Sequence, residues 1–175
     1  FKSGDIDVIG LQYITPDHLA EAETLEGKVV KISGQATFES IGLNTTRPQF
    51  QELAVRQALY AAIDKTSIID ALYYGVPTPT ETYMPQQSYY YNPDLPKHEF
   101  NIDKANALLD EAGWVRGADG IREKDGVKLA FSNSTTAGNH LREQAQQFIQ
   151  QTFLEIGVAM EIKNLPPAVM WGDYW

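Results

Sequence analysis

The chain has 175 residues, 43% of them hydrophobic and 21% charged, with a formal net charge of −9 at pH 7 and no cysteine. That is the composition of a globular protein with a full core, usually one domain, and not of a disordered chain. The charge excludes a phosphate-neutralising nucleic-acid surface, because Lys28 and Lys31, the nearest approach to a basic cluster, alternate with apolar residues; the missing cysteines exclude disulfides, Cys-ligated zinc and thiol catalysis.

No apolar stretch approaches the roughly 20 residues that cross a bilayer, and no signal peptide opens the chain. The first residue is Phe1 and not Met, so an excised or processed piece is expected. Residues 6–9 predict a short strand. Residues 16–25 predict a helix, with Thr15 as N-cap and Pro16 at the first helical position, where a missing N–H costs nothing. Residues 27–33 and 35–43 read as two extended segments separated by Gly34, and the second ends in a turn at 44–48.

The period then becomes helical. Phe50, Leu53, Ala54, Gln57, Ala58, Ala61 and Ala62 share a face, with Leu53 and Ala58 near the centre of a small-residue surface suited to close packing on a sheet. Arg56 is the charge amid this apolar run and reads as solvent-facing or ion-paired. Asp64 interrupts the helix, Thr66 is placed to cap the next one, and Gly75 to end it.

Residues 76–99 lack periodicity and carry five prolines with the run Tyr89, Tyr90 and Tyr91. A stretch that long wraps over a surface or lines a site, and its tyrosines either stack on a ligand or pin the loop to its own domain. Asn101 or Asp103 starts the next helix, with Ala105, Leu108, Leu109 and Ala112 on one face, Gly113 closing it and Trp114 folding back. Asp119-Gly120 and Asp125-Gly126 bracket a strand at 121–123 and predict a hairpin with 127–131. A small polar loop at 132–139 leads into a helix at 140–156, apolar at Leu141, Ala145, Phe148, Phe153 and Ile156; Gly157 ends it before a strand at 158–162.

Catalytic and metal motifs are sparse. His18, His98 and His140 lie in separate elements without an HExxH-type partner, and each reads as a surface residue. There is no GxGxxG, P-loop or GxSxG pattern. Carboxylate pairs such as Asp5/Asp7 and Asp110/Glu111 are expected by chance in so acidic a chain, and Glu143 reads as a favourable charge at a helix N-terminus. Two alternatives stay open at this point: a small hydrolase using His140 with a carboxylate, and an interaction module using residues 76–99.

The run Leu43-Asn44, Phe50, Val55-Arg56-Gln57-Ala58-Leu59, Ala61 and Ile63-Asp64-Lys65 resembles the signature of the family 5 solute-binding proteins, the oligopeptide-, dipeptide- and nickel-binding components of ABC importers. Three later stretches are similar to the same family in the same order: Asp103 to Trp114 with Leu108-Leu109 and Glu111-Ala112-Gly113, the hairpin from Asp119-Gly120-Ile121, and Arg142, Ala145, Ile149, Gln150, Leu154 and Ile156-Gly157-Val158. Ser3-Gly4-Asp5-Ile6-Asp7 resembles the strand that precedes this region.

The resemblance implies an α/β fold, one lobe of a periplasmic-binding-protein-like (class II, cluster C) architecture with a mixed sheet flanked by helices. Family members run to about three times this length, so the chain is expected to cover mostly the second lobe. Residues 1–34 would then be the end of the first lobe near the hinge, 35–164 the second-lobe domain, and 165–175 a truncated connecting segment. It further implies a peptide or small solute held between two lobes, an ABC permease as partner and a periplasmic or other extracytoplasmic location. No catalytic residue, metal or cofactor, no nucleic acid and no membrane span of its own are expected.

By the same resemblance, Gln35, Phe38 and Ser40 before the Asn44 motif, and Thr135, Asn139 and His140 in the loop before the last long helix, are the candidate ligand-binding residues. For each position a core or helix-capping role is the competing reading. Arg56 becomes structural, in the packing of the lobe. Trp171-Gly172-Asp173-Tyr174 invites comparison with a ligand-anchoring Trp-x-x-Asp stretch, but it follows Gly157 too closely, so the anchoring residues are expected outside this chain.

Overall fold

The computed structural model describes residues 1–9, 16–27, 30 and 37–174. Gln35, Thr15 and most of the extended segment expected at 27–33 lie outside them. The chain divides into two compact units, Phe1–Phe38 with Thr66–Pro93, and Glu39–Lys65 with Asp94–Trp175.

In the first unit a 3-10 turn, Pro16–His18, runs into helix α1, Leu19–Glu23. The helix expected over 16–25 is therefore shorter and tighter at its start. The Lys2 ammonium pairs with Glu21, and that hydrogen bond holds the Glu21 carboxyl below its usual range. Residues 6–9 form no strand: Ile6 and Val8 are exposed, and the chain before them turns back through the Gly4 N–H to the Phe1 carbonyl and the Ser3 hydroxyl to Asp5. Alternation supplies a face but not a partner strand.

Helix α4, Lys65–Tyr73, starts one residue after Asp64, so Thr66 lies inside it and does not cap it. Residues 76–93 carry no helix or strand and are held by local bonds such as Thr80 Oγ1 to the Thr82 carbonyl at 2.9 Å. Tyr89 and Tyr90 are exposed and touch each other edge to face.

The second unit holds the other elements. The run read as one helix from Phe50 is two, α2 (Pro48–Gln51) and α3 (Leu53–Ala61), with Glu52 extended between them. Arg56 explains how the break is tolerated. Its guanidinium donates to the Phe50 and Gln51 carbonyls at 2.7 and 3.0 Å, satisfying the end of α2. The break also resets the helical phase: Val55, Ala58, Leu59 and Ala62 are buried, whereas Leu53, expected near the centre of the packed face, is exposed.

Helix α5, Ile102–Glu111, packs on α3. Asn101 caps it by accepting from the Lys104 N–H at 2.8 Å, and its own N–H donates to the Ala61 carbonyl at 2.8 Å. Ala58, Ala62 and Ala105 have no exposed surface, and small side chains there let the backbones approach closely. Trp114 folds back as expected, its N–H on the Leu109 carbonyl at 2.9 Å.

Strands β1 (Val115–Arg116), β2 (Arg122–Lys124) and β3 (Val127–Lys128) form an antiparallel sheet in the order β1-β2-β3. Asp125 and Gly126 both take positive φ, 51° and 77°, the turn that matches strand twist in a two-residue hairpin. The strand expected over 127–131 is divided. After Leu129 the chain enters β4, Ala130–Asn133, which pairs in parallel with β5, Ala159–Ile162, and helix α6, His140–Glu155, crosses over between them.

The core lies between these layers. Phe131 stands edge-on to Phe50 at 5.0 Å and to Phe153 at 6.2 Å, and Leu129, Ile149, Ile156, Val158 and Met160 are buried. The buried face of α6 is Gln146, Ile149 and Phe153; Phe148, expected on it, is exposed. Helix α7, Pro167–Val169, runs into a π-helical turn, Met170–Tyr174.

Candidate functional site

Parallel β4 and β5 end at the same edge, with Asn133 opposite Ile162, and the carboxyl edge of parallel strands is where open α/β sheets present binding loops. The loop after β4, residues 134–139, continues the pairing. The Lys163 N–H donates to the Asn133 carbonyl at 2.9 Å, the Leu165 N–H to the Thr135 carbonyl at 3.1 Å, and the Ala137 N–H to the Leu165 carbonyl at 2.8 Å. Asn164 Oδ1 accepts the Thr135 N–H at 3.0 Å. The loop is thus a shaped extension of the sheet.

Its last residue is Asn139, which caps α6 by accepting the Arg142 N–H at 3.2 Å, and Glu143 reaches back to accept the Gly138 N–H at 2.9 Å. His140 follows, with 88% of its side chain exposed and Nδ1 3.4 Å from Glu143 Oε2. Below the loop, buried Gln146 donates to Asn133 Oδ1 at 2.6 Å and links α6 to the end of β4. On the far side, the Ser134 hydroxyl donates to the Tyr174 hydroxyl at 3.1 Å.

Residues 37–43, expected as a strand, have no strand pairing. They arrive at this region by an ion pair instead: Arg142 Nε and Nη2 donate to the two oxygens of Glu39 at 2.9 and 2.7 Å. Ser40, beside Glu39, is exposed.

Thr135, Asn139 and His140 are therefore neighbours on one loop and helix start. Phe38 belongs to the first unit, exposed and 6.5 Å from the ring of Tyr83. Asn139 carries a capping role beside any other. The sequence reading missed Ser134 and Tyr174; the only signal was a hydroxyl-rich loop and a tyrosine in a stretch set aside for its spacing. Chemically, the arrangement offers hydroxyls, an amide and an imidazole able to hydrogen-bond a polar solute.

Two hollows elsewhere in this unit belong to the framework. One of about 520 Å³ is lined by Asn106, Asp110, Trp114, Val115, Arg116 and Arg122. The Arg122 side chain in its wall is committed to the Ile156 and Trp114 carbonyls at 2.8 and 2.6 Å, to Asn106 Oδ1 at 2.9 Å and to Asp110. A smaller hollow of about 170 Å³ lies beside the Lys124–Glu52 ion pair. Neither contains a candidate residue. Among the described residues there is no group of three or more His, Cys, Asp or Glu that could hold a metal ion, and no helix is long and apolar enough to cross a membrane.

Comparison with known proteins gives a consistent result. Residues 1–175 match the family described as bacterial extracellular solute-binding proteins, family 5 middle. The chain is 36% identical over 126 residues to an oligopeptide-binding protein, AppA, of Bacillus subtilis, covering 69% of this chain and 23% of that protein. It is 32% identical over 166 residues to the nickel-binding periplasmic protein of Escherichia coli, covering 93% of this chain and 32% of that one. The crystal structure of NikA from Brucella suis in complex with Fe(III)-EDTA superposes with a TM-score of 0.82 at 28% identity, covering 97% of this chain and 35% of that one. The chain spans less than two fifths of the length of each. The α/β architecture expected from the sequence is that of these periplasmic-binding-protein-like structures.

Proposed function

Because the chain belongs to the bacterial extracellular solute-binding proteins of family 5, we propose that the full-length protein is the substrate-binding component of an ABC importer. In this reading it closes two lobes on a peptide or other small solute and delivers it to a membrane permease from an extracytoplasmic position. It performs no covalent chemistry. The division of the chain at 34/35 and 164/165 into first-lobe, second-lobe and connecting segments is part of the proposal.

The observation that carries the reading is the family match along residues 1–175. The loop at the carboxyl edge of β4 and β5 is consistent with it: Thr135, Asn139 and His140 stand together there, with Ser134 and Tyr174 beside them, and Ser40 follows the residue tied to Arg142. Phe38 and Gln35 complete the proposed set from the preceding segment. The hydrolase alternative has no support in the surroundings of His140, which is 88% exposed and whose near carboxylate, Glu143, is a neighbour on the same helix that already accepts the Gly138 N–H.

The test is a calorimetric and thermal-shift screen of the full-length protein against di- to nonapeptides, oligosaccharides and metal chelates. A solute bound only by the native state raises the midpoint, by the equivalent of about 2.7 kcal/mol at a hundredfold excess over Kd. Failure of every class to bind would overturn the proposal.

A further inference from the structure

Among the described residues, the hydrogen bonds of segment 37–43 are the two that Glu39 accepts from Arg142. The segment has no strand partner, and Leu43 is its least exposed residue, so neither a sheet ladder nor a buried core seats it. The pair joins residues 103 apart in sequence, and its two donors and two acceptors meet side by side, the bidentate geometry that fixes orientation as well as distance.

Arg142 lies in the first turn of α6, beside the loop 134–139. Its N–H is taken by the Asn139 cap, so its backbone is fixed, and Glu143 accepts the Gly138 N–H and stands 3.4 Å from His140. Glu39 is also the residue at which the chain passes from the first unit into the second.

We propose that the Glu39–Arg142 ion pair is a clasp that seats segment 39–43 against the start of α6. Glu39 and Arg142 are then positioning residues for the surface formed by Ser40 and the loop 134–139, a consequence that rests on the proposed binding function. The clasp itself does not. Both side chains are partly exposed, 59% and 34%, so the clasp loosens as ionic strength rises.

The test uses the absence of cysteine from these 175 residues. A nitroxide on Ser40→Cys in the full-length protein, with any cysteine elsewhere replaced, reports the mobility of the segment. Glu39→Gln and Arg142→Gln are each expected to raise the mobile population about 1.5- to fivefold, the range open to one exposed pair. The charge-exchanged double variant, Glu39→Arg with Arg142→Glu, restores the immobile spectrum, which mere loss of a side chain would not do. An unchanged spectrum in the single variants, or a double variant as mobile as either, overturns the clasp. No ligand enters the readout, so a negative solute screen would remove the binding reading and leave this one standing.

Discussion

Arg122 and Gly157 are held against each other so closely that Gly157 has no room for a side chain. The Arg122 N–H donates to the Gly157 carbonyl at 2.8 Å, and a Cβ on Gly157 would lie 2.8 Å from Arg122 Cγ and 3.1 Å from the Gly120 carbonyl oxygen. Gly157 also has φ +78°, a conformation L side chains rarely adopt. Gly157→Ala therefore combines backbone strain with overlap against the stem of the buried Arg122 side chain and a tight contact to the Gly120 carbonyl, and is expected to cost about 2–4 kcal/mol. Urea unfolding of the full-length protein checks this, and a loss under about 1 kcal/mol would mean that the contact relaxes freely.

Arg122 itself is 2% exposed and satisfies two backbone carbonyls, Asn106 and Asp110. Removing Arg122 leaves the Ile156 and Trp114 carbonyls without their buried donor while Asp110, 67% exposed, returns to water, so Arg122→Met is expected to cost about 2–4 kcal/mol. Arg122→Lys should recover little, because one ammonium cannot reproduce the fork. Full recovery by lysine would show that charge alone matters.

Arg56 gives a milder case. Losing its two bonds to the Phe50 and Gln51 carbonyls leaves the end of α2 to water, and Arg56→Ala is expected to cost about 1–2 kcal/mol. The same substitution is not expected to change solute affinity. A measured drop in affinity at unchanged stability would move Arg56 from the framework to the site.

The hairpin pair Asp119–Lys128 sets a pH dependence of known sign. The hydrogen bond from Lys128 lowers the Asp119 carboxyl below its usual 3.8, and the same bond raises Lys128 above its usual 10.5. A lowered carboxyl contributes stability that is present above 3.8 and lost as pH falls through the folded value; a raised ammonium contributes below 10.5 and loses it as pH rises through the folded value. The Tm gap between wild type and Asp119→Asn is thus expected to be flat near neutrality and to close at both extremes. A gap that persists into strong acid would assign it to something other than this pair.

At the candidate site, Thr135 and Asn139 should separate binding from stability. The main chain of Thr135 makes its bonds to Asn164 and Leu165, so Thr135→Val leaves the fold unchanged and is expected to weaken solute binding about tenfold if its hydroxyl contacts the solute. Asn139→Ala removes a helix cap and is expected to lower stability by about 1 kcal/mol. Calorimetric titration beside thermal unfolding reads both, and an unaltered affinity in Thr135→Val would remove that residue from the site.

Local chemistry made several elements legible. The Asn101 cap, the Asp125-Gly126 turn, the fold-back of Trp114 and the 140–155 helix all follow from interactions within a few residues. Where sequence reading failed, the deciding partner was distant. Residues 6–9 and 37–43 alternate like strands but pair with no strand among the described residues, and 127–131 splits because Ala130 and Phe131 find Ala159 and Met160 in a second sheet. Phe148 and Leu53 share a helical period with core residues yet face outward, because the helix phase is set by what each helix packs against.

By itself, the sequence determined the family, the order of most elements and the absence of thiol chemistry, since these depend on residue type and short-range spacing. Only the tertiary structure decided that Arg122 is an interior staple, that Arg56 closes a broken helix, and that Glu39 reaches across 103 residues to Arg142 at the edge of the candidate site. Charged side chains are the residues whose roles remain unreadable in a string, because the energy of a charge is set by the partners and the water around it, and the fold alone supplies both.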